Sequence, residues 1–208
     1  MSDSVATDLP SDQVSKAPAS IAQAMDDHFN MMDQLKAQFG DIEQAANLII
    51  DALKSGGKVL LCGNGGSAAD AQHIAAEIIG RFELERAAFP AIALTTDTSI
   101  LTAVGNDYGF DHIFSRQVAG LGRAGDVLMA YSTSGNSANV LAAVQVARDL
   151  GVKVVSLTGQ AGGALKDQSD LWLGAPSGVT ARVQEAHGFI GHVICQLIDA
   201  ALVDLERP

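Results

Sequence analysis

Apolar and polar residues follow two different periods along this chain. Between residues 21 and 39, Ile21, Met25, Phe29, Met32 and Leu35 recur at three- and four-residue steps, which predicts an amphipathic helix. Gly40 is placed to end it and Asp41 to cap a second helix over 42–54. Ser55-Gly56-Gly57 then turns the chain into a short apolar run at 59–62. From there apolar runs and helical stretches take turns. Strands are expected at 91–94, 127–131, 152–157 and 171–173. Helices are expected at 68–79, 98–104, 110–121, 138–150 and 181–205, with a short helix or turn at 162–167. Strands that alternate with helices imply a parallel sheet covered on both faces, and strands so covered should be apolar throughout, as these are. The pattern therefore predicts an α/β, doubly wound parallel sheet flanked by helices, one domain over 20–208. Residues 1–19, rich in Ser, Asp and Pro and without periodicity, are expected to form a mobile tail.

Two loops stand out against this frame. Gly63-Asn64-Gly65-Gly66-Ser67 follows the first strand, and Ser132-Thr133-Ser134-Gly135-Asn136-Ser137 follows the third. Each precedes a helix. The free N–H groups of a first helical turn, together with the helix dipole, make an anion site, and small residues let a ligand reach the backbone. Ligands of parallel sheets sit beyond the carboxyl ends of the strands, where both loops lie. A phosphorylated, hydroxyl-rich ligand fits the pair. Gly63-x-Gly65-Gly66 is only a weak dinucleotide fingerprint, because Ala68 stands where its third glycine belongs, and no G-x-x-x-x-G-K-[ST] loop is present. Each loop can also be read as a tight strand-to-helix connection, with a hydroxyl serving as an N-cap.

Composition narrows the ligand further. The 208 residues suffice for a substantial single core, with 48% hydrophobic and 18% charged. Net charge is −11 with no basic stripe, which argues against nucleic acid as a partner. An acidic protein that holds a phosphate must do so with local dipoles and hydroxyls. Cys62 and Cys195 sit in apolar runs and read as buried thiols. The polar, acidic N-terminus does not resemble a signal peptide, and no apolar run is long enough to span a bilayer, so a cytoplasmic protein is expected.

Titratable residues fall at telling spacings. His73 and Glu77, four apart on the helix after the first loop, share a face. Such a pair can chelate a divalent metal, serve acid–base chemistry or form a solvated surface pair. The last helix carries Gln184, Glu185, His187 and His192. His192 lies eight residues past Gln184, roughly 12 Å along the axis and about 80° around it, near the limit for two ligands of one metal. Either histidine also fits a satisfied core or interface position. Asn106 and Asp107 sit in a glycine-flanked break read as a turn, Asp97 is placed to cap the helix at Thr98, and Arg81 to neutralise a helix end or reach a neighbouring subunit's phosphate.

Four runs taken together resemble a known family. They are Cys62-Gly63-Asn64-Gly65-Gly66-Ser67-Ala68-Ala69-Asp70-Ala71-Gln72-His73, Gly105-Asn106-Asp107-Tyr108-Gly109-Phe110, Ser132-Thr133-Ser134-Gly135-Asn136-Ser137-Ala138-Asn139-Val140 and Arg182-Val183-Gln184-Glu185. In order and separation they resemble the phosphoheptose isomerases, a family of sugar-isomerase (SIS) domain proteins, and the likeness runs from about residue 29 to the end.

The resemblance implies an SIS-type fold whose N-terminal helices serve oligomerisation, and an enzyme that converts D-sedoheptulose 7-phosphate to D-glycero-D-manno-heptose 7-phosphate through an enediol. That reaction is the first step toward the ADP- and GDP-heptose of bacterial lipopolysaccharide and other surface polysaccharide. It further implies a homotetramer with active sites at subunit interfaces and one zinc ion per subunit. Carried over by motif, Asn64, Gly65, Gly66, Asn106 and Asp107 contact substrate, and Ser132, Thr133, Ser134 and Ser137 hold its phosphate. His73, Glu77, Gln184 and His192 surround the metal, with Glu77 and Gln184 also touching substrate. Glu77 and His192 are the acid–base pair. A close paralogue in the family binds the bacterial replication initiator and lacks that Glu and His. Retention of both here favours the enzyme over a non-catalytic sugar-phosphate-binding protein.

Overall fold

The computed structural model describes residues 20–205, so the expected tail at 1–19 lies outside the described residues. Two helices, α1 (Ile21–Leu35) and α2 (Phe39–Lys54), lead into β1 (Val59–Cys62). There follow α3 (Gly66–Ile79), β2 (Ala91–Ala93), α4 (Thr98–Tyr108), α5 (Ser115–Leu121) and β3 (Val127–Ser132). The chain continues through α6 (Ala138–Asp149), β4 (Lys153–Gly159), α7 (Gly163–Gln168) and β5 (Leu171–Ala175) to the long α8 (Thr180–Leu202). All five strands are parallel, in the order β2-β1-β3-β4-β5. The chain thus winds one way from β1 to β2 and the other from β3 to β5. The crevice between β1 and β3 is the switch point, where doubly wound sheets bind ligands.

Successive strand residues point to opposite faces and feed two cores. Val59, Leu61, Met129, Tyr131 and Leu157 join α1, α2, α3 and α8 on one side. Leu60, Cys62, Leu128, Ala130 and Val154 join α5, α6 and α7 on the other. Both cysteines are buried and free, as expected, and burial pushes each thiol up to about 12. Among the described residues no helix is long and apolar enough to cross a membrane.

The expected elements are present with shifted boundaries, and three differences have physical causes. The first helical break falls at residues 36–38, a 3₁₀ turn, rather than at Gly40, which lies in the first turn of α2 with Asp41. Gln38 is responsible: its Oε1 accepts from the Gly174 N–H at 3.0 Å and its Nε2 donates to the Gly174 carbonyl. The side chain thereby takes the place of a missing neighbour strand at the β5 edge. The predicted helix at 110–121 divides into a 3₁₀ turn at 110–112 and α5. Finally, α4 runs through the expected turn, so Asn106 and Asp107 lie in its last turn. Asp97 caps α4 as predicted, accepting from the Ile100 N–H at 2.9 Å.

Candidate active site

Loop 1 leaves β1 and enters α3 through Gly65, whose φ of +57° is open to glycine and costly for other residues. The turn's own hydrogen bonds begin at Ser67, which donates to the Asn64 carbonyl at 3.0 Å. The amides of Gly65 and Gly66 are therefore outside the helical ladder. Loop 2 leaves β3 and enters α6. Gly135, at φ +69°, packs so closely on Gly162 that a side-chain carbon there would lie 1.9 Å from its carbonyl oxygen. Ser137 begins α6, yet its hydroxyl makes no capping bond. It lies 2.9 Å from the Ser132 hydroxyl, which is 3.4 Å from that of Ser134, and Ser134 Oγ accepts from the Asn136 N–H at 3.1 Å. Three hydroxyls thus gather at the start of a helix whose first amides are uncapped, an arrangement suited to a phosphate.

The loops are joined. Asn64 Nδ2 donates to Asn139 Oδ1 at 2.8 Å and Asn139 Nδ2 to Asn64 Oδ1 at 2.9 Å, across the β1/β3 crevice. Asn139 is buried. With its side chain committed to this pair, Asn64 leaves the backbone of loop 1 as the part that faces a ligand.

Helices α3 and α8 run side by side in the same direction, and α8 meets α3 or the segment that follows it at three levels. At the first, the Gln184 amide packs on Gly66 so tightly that a Cβ there would lie 2.2 Å from Nε2. At the second, Gly191 lets α8 close on Ile74, and His192 Nε2 lies 2.8 Å from His73 Nε2. Glu77 Oε1 is 3.6 Å from the same His73 nitrogen. The Phe82 ring stacks on His192 at 5.3 Å and 29°, while His73 meets it edge-on at 5.1 Å. At the third level, buried Arg86 and Asp199 pair at 2.6 Å.

Polar groups on the neighbouring elements are partly or wholly buried. Burial pushes the Asp70 carboxyl up to about 6 against the opposing pull of His73, and its Oδ2 has no hydrogen-bond partner. Burial likewise raises the Tyr131 phenol well above its usual value. His187 is a core histidine: its Nε2 lies 3.2 Å from the Thr158 carbonyl, and burial lowers its pKa to about 4.

The structure brings His73, Glu77 and His192 together and sets Gln184 at the start of α3. It gathers Ser132, Ser134 and Ser137, with Thr133 between them in the chain. Asn106 and Asp107 are exposed on α4, joined by an Asn106 Nδ2 to Asp107 Oδ1 bond of 2.8 Å. Among the described residues, no side-chain hydrogen bond ties them to the loops or histidines. Three residues went unread. Asn139 figures in the sequence only within the run at 132–140, with no role of its own. Phe82 lies in irregular chain. Arg86, rather than Arg81, neutralises the end of α3, donating to the Glu77 and Ile78 carbonyls at 3.0 Å. Arg81 is exposed and pairs with Glu85 at 3.3 Å.

Two imidazole nitrogens and a carboxylate are the donor types that zinc takes, so the cluster fits that ion chemically. Among the described residues, neither these three side chains nor any other group of His, Cys, Asp and Glu is arranged around a common metal position.

A doubly wound sheet with paired phosphate-type loops at its switch point defines the class, and the SIS domain model matches residues 25–159. Phosphoheptose isomerase of Rhodospirillum rubrum is 58% identical over 161 residues, covering 77% of this chain and 86% of that protein. That of Akkermansia muciniphila is 53% identical over 165 residues, covering 79% and 87%. The structure of the Neisseria gonorrhoeae phosphoheptose isomerase superposes with a TM-score of 0.82 at 47% identity, covering 86% of this chain and 97% of that one. The chain belongs to the phosphoheptose isomerase family.

Proposed function

We propose that this chain isomerises D-sedoheptulose 7-phosphate to D-glycero-D-manno-heptose 7-phosphate. The observation that carries the proposal is the meeting of His192, His73 and Glu77 on the α3/α8 face, with α3 starting from the same crevice as the hydroxyl loop. Aldose–ketose isomerisation moves a proton between adjacent carbons through an enediol and needs a base near both. Glu77 takes the proton from one carbon and returns it to the other. His192 moves the proton between the two oxygens. Loop 2 holds the phosphate through Ser132, Thr133, Ser134 and Ser137 and the start of α6, so that remote binding energy orients the reacting end. The Gly65 and Gly66 amides, with Asn64 behind them, and Gln184, Asn106 and Asp107 complete the substrate contacts.

His73, Glu77, Gln184 and His192 would hold one zinc ion, which when bound supplies Lewis-acid polarisation of the substrate carbonyl. A homotetramer is part of the same reading. Met25, Phe29, Phe39 and Phe189 are exposed around the N-terminal helices and α8, and an apolar groove of about 260 Å³ lies between Phe39, Ile42, Val193 and Leu197. The α4 helix has no buried residue yet bears Asn106 and Asp107, as suits a segment that a neighbouring subunit covers. A monomer in sedimentation equilibrium would remove this part. The proposed setting is the cytoplasm, at the first step toward the heptose of surface polysaccharide. The test is conversion of sedoheptulose 7-phosphate by the purified protein, followed by NMR. Ligand binding without turnover, with and without zinc, would instead support a sugar-phosphate-binding protein.

A further inference from the structure

We infer that Phe82, locked in place by the buried Arg86–Asp199 pair, is the positioning residue that sets the ring of His192. The inference rests on the isomerase reading for its kinetic consequence, but its geometry stands alone. His192 is only half-buried, on a helix face where an imidazole has several rotamers open to it. Two neighbours confine it: His73 at its edge and the Phe82 ring stacked on its face.

Phe82 lies in residues 80–90, which form no helix or strand, so its own position needs a cause. Asp199 supplies one. It lies seven residues past His192 on α8, two turns along the same side. Its Oδ2 accepts from the Glu83 N–H at 2.7 Å and the Leu84 N–H at 2.9 Å, the two amides that follow Phe82. Its Oδ1 takes Arg86 Nε at 2.6 Å. Arg86 also donates to the carbonyls of Glu77, Ile78 and Ala87, all at 3.0 Å. One buried ion pair therefore ties three things to a common frame: the backbone of Glu77, the segment carrying Phe82, and the helix carrying His192. A displacement of about an ångström between acid–base groups is enough to cost catalysis heavily without weakening substrate binding.

The experiment compares Phe82→Leu and Phe82→Tyr with wild type, recording sedoheptulose 7-phosphate kinetics and the histidine ring NMR signals. The His192 signal is identified by its loss in His192→Gln. Phe82→Leu keeps apolar bulk but removes the stacking face. The expected result is a kcat lower by about tenfold with KM within about twofold, a moved His192 signal, and recovery of both in Phe82→Tyr. Asp199→Asn should lower kcat in the same way, and its effect should not add fully to that of Phe82→Leu. If loss of the buried charge unfolds that variant, the Phe82 pair still decides. An unchanged kcat in Phe82→Leu, an unmoved His192 signal, or no recovery in Phe82→Tyr would overturn the inference. A wild type without turnover would sink the isomerase reading, while the His192 signal would still test the stacking.

Discussion

The side-chain amides of Asn64 and Asn139 hold one another by two hydrogen bonds across the β1/β3 crevice, at 2.8 and 2.9 Å. The two loops proposed to grip opposite ends of one substrate are thereby kept at a fixed separation. Asn139→Ala removes both bonds and leaves the Asn64 amide unpaired in a part-buried site. KM for the sugar phosphate should rise about tenfold, with a smaller change in kcat, as loss of ligand alignment on the order of 1–2 kcal/mol would produce. Wild-type KM in this variant would show that the loops hold their separation without the pair.

The hydroxyl cluster predicts a different pattern. Ser137 makes no capping bond, so Ser137→Ala should leave helix α6 and thermal stability nearly unchanged. Binding should suffer in both Ser137→Ala and Ser134→Ala, with KM several-fold higher and inhibition by inorganic phosphate weakened in parallel. An unaltered KM for either would remove that hydroxyl from the phosphate site.

Much of this arrangement was legible in the sequence because the signals are local. Five apolar runs and the helices between them give the sheet, and a glycine loop and a hydroxyl loop before helix starts mark its ligand end. The i, i+4 spacing of His73 and Glu77 places them on one face. What was not legible depends on contacts between distant segments. His192 reaches His73 only because Gly191 lets α8 lie close to Ile74. Gln38 breaks the first helix because it meets Gly174, 136 residues away. Arg86 and Asp199, 113 apart, carry opposite charges in stretches whose pattern gives no reason to pair them.

Acid stability should report on His187. Its ordinary pKa near 6.5 falls to about 4 in the folded protein, because burial disfavours the charged ring. Between those values the unfolded chain binds the extra proton. Stability is thus intact above about 6.5 and is lost as pH falls toward 4, by roughly 3 kcal/mol in all. At Asp199 burial pushes the carboxyl up, but the Leu84 and Glu83 amides and Arg86 outweigh it and hold the group low, so its stabilisation is lost only below about 4. Urea unfolding at pH 7 and pH 4.5 should show a smaller loss for His187→Leu than for wild type. Equal losses would contradict the assignment.

Zinc gives a prediction independent of turnover. If His73, Glu77, Gln184 and His192 hold zinc as proposed, elemental analysis of the purified protein should find about one zinc per chain, and His73→Ala or His192→Ala should abolish it. Retention of zinc in both variants would place the ion elsewhere.

The remaining experiment concerns Glu77, whose carboxylate lies 3.6 Å from His73 Nε2 beside His192. Wild type and Glu77→Gln are to be compared by NMR for conversion of sedoheptulose 7-phosphate in deuterated water. The expected result is conversion with solvent deuterium entering at the reacting carbon in the wild type. In Glu77→Gln, kcat should fall by at least about a thousandfold while the sugar phosphate still binds. Near-normal conversion by Glu77→Gln would show that this carboxylate is not the base.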